Sequence, residues 1–183
     1  MPLVRYNLAS TLDGFIASPD HTTSWIVSDP TIDFPALHAQ FSTFVMGRRT
    51  YEAMLQYDNP LAGRAKEEVL VVSTTMKEEE FPEVTIVRDP KGVVERVREL
   101  KGGEGKDVWV MGGAELVGLL MGEGLVDVVE VAVMPVLIGE GIPMVGGLGK
   151  GKEMGERGCR LKLEGVEALE GSGILMTRYR VLY

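Results

Sequence analysis

The stretch VWVMGGAELVGLLMGEGLVDVVEVAVMP, Val108 to Pro135, decides the fold. Val108 to Met111 is an apolar run that reads as a buried strand, and it runs straight into Gly112-Gly113. Ala114 to Met121 then reads as a helix, and Val126 to Met134 is a β-branched run ended by Pro135. Strand, glycine turn, helix and strand in that order predict an α/β domain with a largely parallel sheet.

Working outward, the same alternation continues. Leu3 to Ala9 reads as the first strand and Phe15 to Ala17 as a brief second one, with a loop over residues 18–30. Asp33 is placed to cap a helix over Phe34 to Phe41, with Pro35 in its first turn, where a missing N–H does no harm. Phe44 to Met46 reads as a strand ending at Gly47, and Thr50 to Gln56 as a short helix. Val69 to Val72 and Val84 to Val87 read as strands. Gly92 to Leu100 carries Val93, Val94, Val97 and Leu100 at helical spacing. Residues 139–158 read as an irregular crossover. Arg160 to Ala168 and Gly173 to Leu182 flank the turn EGSG as a terminal antiparallel hairpin. No repeat or linker interrupts the chain, so residues 1–183 form one domain.

Composition narrows the function. The chain is 45% hydrophobic and 25% charged, ordinary for a globular protein. A formal charge of −8 argues against a nucleic-acid footprint, but not against a local basic pocket. One cysteine and two histidines, His21 and His38, cannot make an internal disulfide or a zinc site. No apolar run approaches the ~20 residues of a membrane span. The expected location is the cytoplasm, the expected partner a small-molecule substrate, and no metal is expected.

Three predicted strand ends share a chemistry. Gly47, Arg48, Arg49 and Thr50 follow one strand, Ser73, Thr74 and Thr75 another, and Gly112-Gly113 a third. In a parallel sheet such ends gather on one edge, where ligands bind. Helix N-termini and glycines suit an anion. Arginine forks and hydroxyls suit phosphate, and two consecutive arginines beside Ser-Thr-Thr fit NADP better than NAD. Each segment also has a plainer reading: a tight turn, solvated arginines, a strand terminator. No GxGxxG follows the first strand and no phosphate-loop GxxxxGK[ST] occurs.

Taken in order, ASTLDGFIA, Trp25, VMGRRTYE, VLVVSTT, the segment from Val108 to Pro143 and GILMTRYRV resemble the dihydrofolate reductase-like superfamily. The likeness is strongest to the riboflavin-biosynthesis reductase branch, the RibD C-terminal domain. The resemblance implies a mixed, mostly parallel sheet with helices on both faces and a C-terminal antiparallel hairpin, a homodimer, and NADPH as cofactor. It implies Arg48, Arg49, Ser73 and Thr74, with Thr75, near the adenosine and its extra phosphate, and Gly47 and Thr50 along the nucleotide. It implies Gly112, Gly113, Ala114 and Glu115, flanked by Met111 and Leu116, at the pyrophosphate, with a cis Gly112–Gly113 bond as in relatives. Ala9, Leu12, Asp13, Gly14, Phe15 and Ile16 would border the nicotinamide, and the helix near Asp33 would wall the substrate pocket with Trp25, Phe34 and Leu37.

Two positions depart from the relatives. Pro30 stands where dihydrofolate reductases carry an acid, which argues against folate reduction, and Met111 stands where the riboflavin reductases often carry glutamate. The expected activity is therefore hydride transfer from NADPH to a small heterocyclic, carbonyl or imine substrate. Asp33 or Asp29 is the expected proton donor, its pKa raised by a partly apolar pocket. The plainer reading of Asp33 is a helix cap. The alternatives are a stand-alone 5-amino-6-(5-phosphoribosylamino)uracil reductase, or a catalytically silent nucleotide-binding protein.

Overall fold

The computed structural model describes residues 1–56, 59–148 and 158–183. Its main sheet has eight strands in the order β5-β4-β3-β6-β1-β7-β10-β9. In chain order these are β1 (Val4–Thr11), β3 (Phe41–Gly47), β4 (Val69–Val72), β5 (Thr85–Val87), β6 (Asp107–Gly112), β7 (Val128–Met134), β9 (Arg160–Leu169) and β10 (Ile174–Leu182). The first six run parallel, and β10 and β9 close one side antiparallel. A two-stranded ribbon pairs β2 (Phe15–Ala17) with β8 (Ile142–Pro143). The helices are α1 (Phe34–His38), α2 (Arg48–Met54), α3 (Pro90–Gly102) and α4 (Ala114–Gly122). None is long and apolar enough to cross a membrane.

Alternation along β1 sorts two cores. Val4, Tyr6 and Leu8 face α3 and α4, joining Val93, Val97, Val117 and Leu120 in one cluster. On the opposite face Phe41, Phe44, Trp109 and Tyr51 of α2 form the second, with Leu37 of α1 packed against it. Full burial of a side chain of this size contributes about 1.5–3 kcal/mol. Both helix-covered faces follow from right-handed crossovers between parallel strands. Asp89 starts α3 by accepting from the Gly92 N–H at 2.8 Å, with Pro90 in the first turn.

Toward β9 the sheet carries charge instead. Arg5, only 6% exposed, donates to Glu130 from Nε (2.9 Å) and Nη2 (2.8 Å), and reaches Gln40 and Asp107. Glu130 also accepts from Asn7 and Arg178, and Glu164 accepts from Arg178 and Arg180. One row of ion pairs thus crosses β1, β7, β10 and β9.

Several predicted boundaries move. Helix α1 ends at His38, because Phe41 already belongs to β3 as a core residue. Helix α2 begins at Arg48, not Thr50, so both arginines lie in its first turn with Gly47 as the capping position. The terminal hairpin stands as predicted, with a bulge near Arg178. The predicted crossover over 139–158 contains the short β8, and its residues 149–157 lie outside the described residues.

Gly118 on α4 is pressed against the segment after β8. A Cβ there would lie 1.7 Å from the Gly146 carbonyl oxygen, a backbone atom that cannot swing aside. Gly118→Ala is expected to destabilise the fold by about 3 kcal/mol through overpacking. Gly122→Ala, in open space on the same helix, is expected to be neutral or stabilising by about 0.5–1 kcal/mol. Urea midpoints of the two variants check this.

Candidate functional site

Because β4, β3, β6, β1 and β7 run parallel and adjacent, their carboxyl ends share one edge of the sheet. The three turns singled out in the sequence meet there. At the centre Gly47 closes β3 and Gly112-Gly113 closes β6. A Cβ on Gly47 would sit 3.5 Å from the Gly113 nitrogen, ordinary van der Waals contact, so the two turns are close neighbours. Gly112 has φ +124°, a conformation that side chains rarely adopt, and the Gly112–Gly113 peptide is cis. The Thr50 hydroxyl fronts this bond, 3.6 Å from the position of a Cβ on Gly112.

The β3 and β4 turns are joined by Arg48. Its Nε donates to Glu52 (2.6 Å) and its Nη1 to the Thr75 hydroxyl (2.7 Å). The Ser73 hydroxyl, buried, accepts from the backbone N–H groups of Thr75 and Met76 and so shapes the loop, while Thr74 and Thr75 are exposed. Arg49 reaches outward, its Nη1 lying 3.3 Å from His21 Nε2. Arg48 therefore bridges the β3 and β4 turns, while Arg49 extends from the same helix turn toward the residue 18–30 loop.

Three residues of the expected cofactor set face elsewhere. Leu116 is buried in the core against β1 and α3, because it lies on the inner side of α4. The Glu115 carboxylate lies over Gly146 and Gly147, whose missing side chains leave room for it. Asp13 accepts from the backbone N–H groups of Gly139 (2.8 Å) and Ile138 (3.2 Å), tying the β1–β2 turn to the segment after β7. Hydrogen bonds from the Thr11 side chain, then from those N–H groups, hold its carboxyl below the usual range.

The remaining nicotinamide-side residues lie on β1, β2 and the turn between them. Ala9 pairs with Ala132. Gly14 accepts from the Met144 N–H through its carbonyl, and Ile16 is half-buried. Ala114 starts α4, and Met111 packs against the second core beside Trp109. Of the pocket set, Phe34 is exposed, Leu37 is packed inward, and the Trp25 ring nitrogen is buried with no partner among the described residues. His38 is structural: Nδ1 bonds to the Phe34 carbonyl at 2.8 Å, and its ring lies against Trp109.

Both carboxylates expected as proton donors are engaged in local hydrogen bonds. Asp33 is exposed and caps α1, accepting from the Ala36 N–H at 2.9 Å. Asp29 is buried, but hydrogen bonds from the Ser172 and Thr31 hydroxyls, then from the Thr31 N–H, lower its pKa instead of raising it. The Asp29-Pro30-Thr31 turn was legible as a turn signal. Its meeting with Ser172 of the β9–β10 turn was not, since nothing in sequence links them.

The fold and this edge define a dihydrofolate reductase-like domain: a mixed sheet, helices on both faces, and glycine turns gathered at the ends of the parallel strands. The chain belongs to the RibD C-terminal domain family, whose model matches residues 2–175. It is 32% identical over 148 residues to the Bacillus subtilis (strain 168) protein YyaP, described as uncharacterized, with 75% of this chain and 77% of that one covered. Among solved structures it resembles a putative riboflavin biosynthesis protein from Shewanella sp. PV-4, with a TM-score of 0.75 at 22% identity over the full length of both chains. It also resembles the Thermotoga maritima diaminohydroxyphosphoribosylaminopyrimidine deaminase/5-amino-6-(5-phosphoribosylamino)uracil reductase. That match has a TM-score of 0.68 at 20% identity, covering 99% of this chain and 57% of the other.

Asp29 carries a pH signature. Its folded pKa lies below the ordinary 3.8, so its contribution to stability is present above that value and lost as pH falls through the folded one. Asp29→Asn is expected to flatten the acid side of the stability profile, with NMR titration of the wild-type carboxyl placing its midpoint below 3.8.

Proposed function

We propose that the chain is an NADPH-dependent reductase of a small heterocyclic, carbonyl or imine substrate. One observation carries the reading: Arg48, Arg49 and the Ser73–Thr75 hydroxyls converge with the Gly47 and Gly112–Gly113 backbone on one edge of a molecule whose formal charge is −8. The residues fit the cofactor. Glycine at both central strand ends leaves backbone exposed where a side chain would stand in the way. Arg48, already aimed by Glu52, and Arg49 offer charged forks for the phosphate that distinguishes NADPH from NADH. Gly113 and the first turn of α4 offer N–H groups for the pyrophosphate.

NADPH supplies the hydride when bound. The chain supplies position: it holds two reactants in register along the strand ends and keeps water from between them. Asp33 and Asp29 are already hydrogen-bond acceptors in a cap and a turn, so the reading draws the product's proton from solvent. The Thermotoga likeness favours a second reading, a stand-alone 5-amino-6-(5-phosphoribosylamino)uracil reductase. A homodimer belongs to the proposal, supported by Leu161, Leu163, Val166 and Leu175, all exposed on one face of the terminal hairpin.

Calorimetric titration with NADPH and NADH tests the cofactor. NADPH is expected to bind selectively. Arg48→Ala and Arg49→Ala are each expected to weaken NADPH by about ten- to a hundredfold, the loss of about 1.5–3 kcal/mol from a charged hydrogen bond, with NADH little changed. Equal binding of the two nucleotides, or none, removes the reading. Sedimentation velocity at micromolar concentration is expected to show a two-copy mass.

A further inference from the structure

The charge map of the strand edge narrows the substrate. This step rests on the function proposed above, because it takes the β4–β3–β6 stretch as the cofactor end. A dinucleotide meeting Arg48 and Arg49 at β3 and the paired glycines at β6 runs on toward β1. Its reacting end then arrives where β1, β7 and β10 meet the same edge.

Among the described residues, that end has no free lysine or arginine. The sequence has no lysine or arginine from Tyr6 to Gly47, and none from Asp107 to Leu148. These two stretches supply β1 beyond Arg5, β2, α1, β7 and β8 with their turns. The neighbouring hairpin turn adds Glu170 and no cation. The first cation along β10 is Arg178, already engaged by Glu130 and Glu164. Arg64 reaches the end of α1 at the His38 carbonyl, but it stacks on Phe44 at 4.5 Å and pairs with Glu68 at 3.3 Å.

Apolar and acidic groups are presented instead. Leu12 is 64% exposed, Leu137 67% and Phe34 54%. Leu12 is fixed beside the segment after β7, because its N–H donates to the Val136 carbonyl at 2.9 Å. The Asp13 carboxylate lies between these leucines in the same junction, and Glu140 is exposed just beyond. A phosphate would bring about −1.5 to −2 charges to this rim. It would meet no free described cation there.

We propose that the substrate is a planar ring that carries no phosphate, neutral or cationic, and that the apolar rim of Leu12 and Leu137 selects it. This separates the chain from any reductase whose substrate is held through a sugar phosphate.

The test uses the full chain saturated with NADP+ and two probes that differ only in the phosphate: 5-amino-6-(ribosylamino)uracil and its 5′-phosphate. Calorimetry is run on the wild type and on the double variant Leu12→Lys with Leu137→Lys, whose exposed positions spare the fold. The wild type is expected to bind the phosphate roughly tenfold more weakly than the riboside, and the lysines to reverse that order. Phosphate binding as tight as or tighter than the riboside in the wild type overturns the proposal. If the wild type binds neither probe, the variant decides: a roughly tenfold gain for the phosphate supports the rim as the selecting surface, and no gain overturns it. Absence of NADP+ binding at the outset instead removes the reductase reading on which this stands.

Discussion

The ends of β3 and β6 meet at Gly47 and Gly112-Gly113, and the site depends on that contact. A Cβ on Gly47 would already be in van der Waals contact with the Gly113 nitrogen, and one on Gly112 would face the Thr50 hydroxyl. The contact is also where both arms of the site begin: α2 starts after Gly47 and α4 after Gly113. Arg48 and Arg49 are thereby brought to the same edge as the N–H groups of α4, and neither helix needs to be long for this.

The rest of the sheet solves a different problem. On the β3–β6 side, helices cover both faces and aromatic and aliphatic side chains fill the space. On the β7–β10 side, the face bearing Arg5 is held by ion pairs. Arg5 is buried and bidentate on Glu130, which in turn takes Asn7 and Arg178. Desolvating such charges is costly, and the arrangement is stable only because almost every lone pair has a donor. It fixes strand register: a one-residue slip of β10 would carry Arg178 to the opposite face and leave Glu130 short of a partner.

Much of the fold was legible because strand and helix signals were strong and local. The valine runs, the glycine turns and the Asp33 and Asp89 caps lie close to the elements they define, and the parallel edge followed from their order. What escaped was tertiary. Leu116 looked like a neighbour of the glycine turn, but helical periodicity carries it to the core. Glu115 turned toward a glycine loop some thirty positions away. Asp29 reads as a candidate acid in the sequence, while its partners, one of them in the terminal hairpin, come only from tertiary structure. The arginines were visible as charges; their orientation by Glu52, Thr75 and His21 was visible only in part, through the i,i+4 spacing of Arg48 and Glu52.

Asp13 joins two turns that leave different strands. It accepts two backbone N–H groups from the far turn, and the Leu12 N–H adds a third link to the same segment. The β1–β2 turn and the segment after β7 are therefore a single stapled unit. The segment from Ser18 to Asp33 is moored to the body more sparely, through Arg49 on His21 and Ser172 on Asp29. When a guest enters, rearrangement is cheapest in that flap, where releasing a side-chain tether or two is enough, while the stapled unit would have to surrender main-chain bonds.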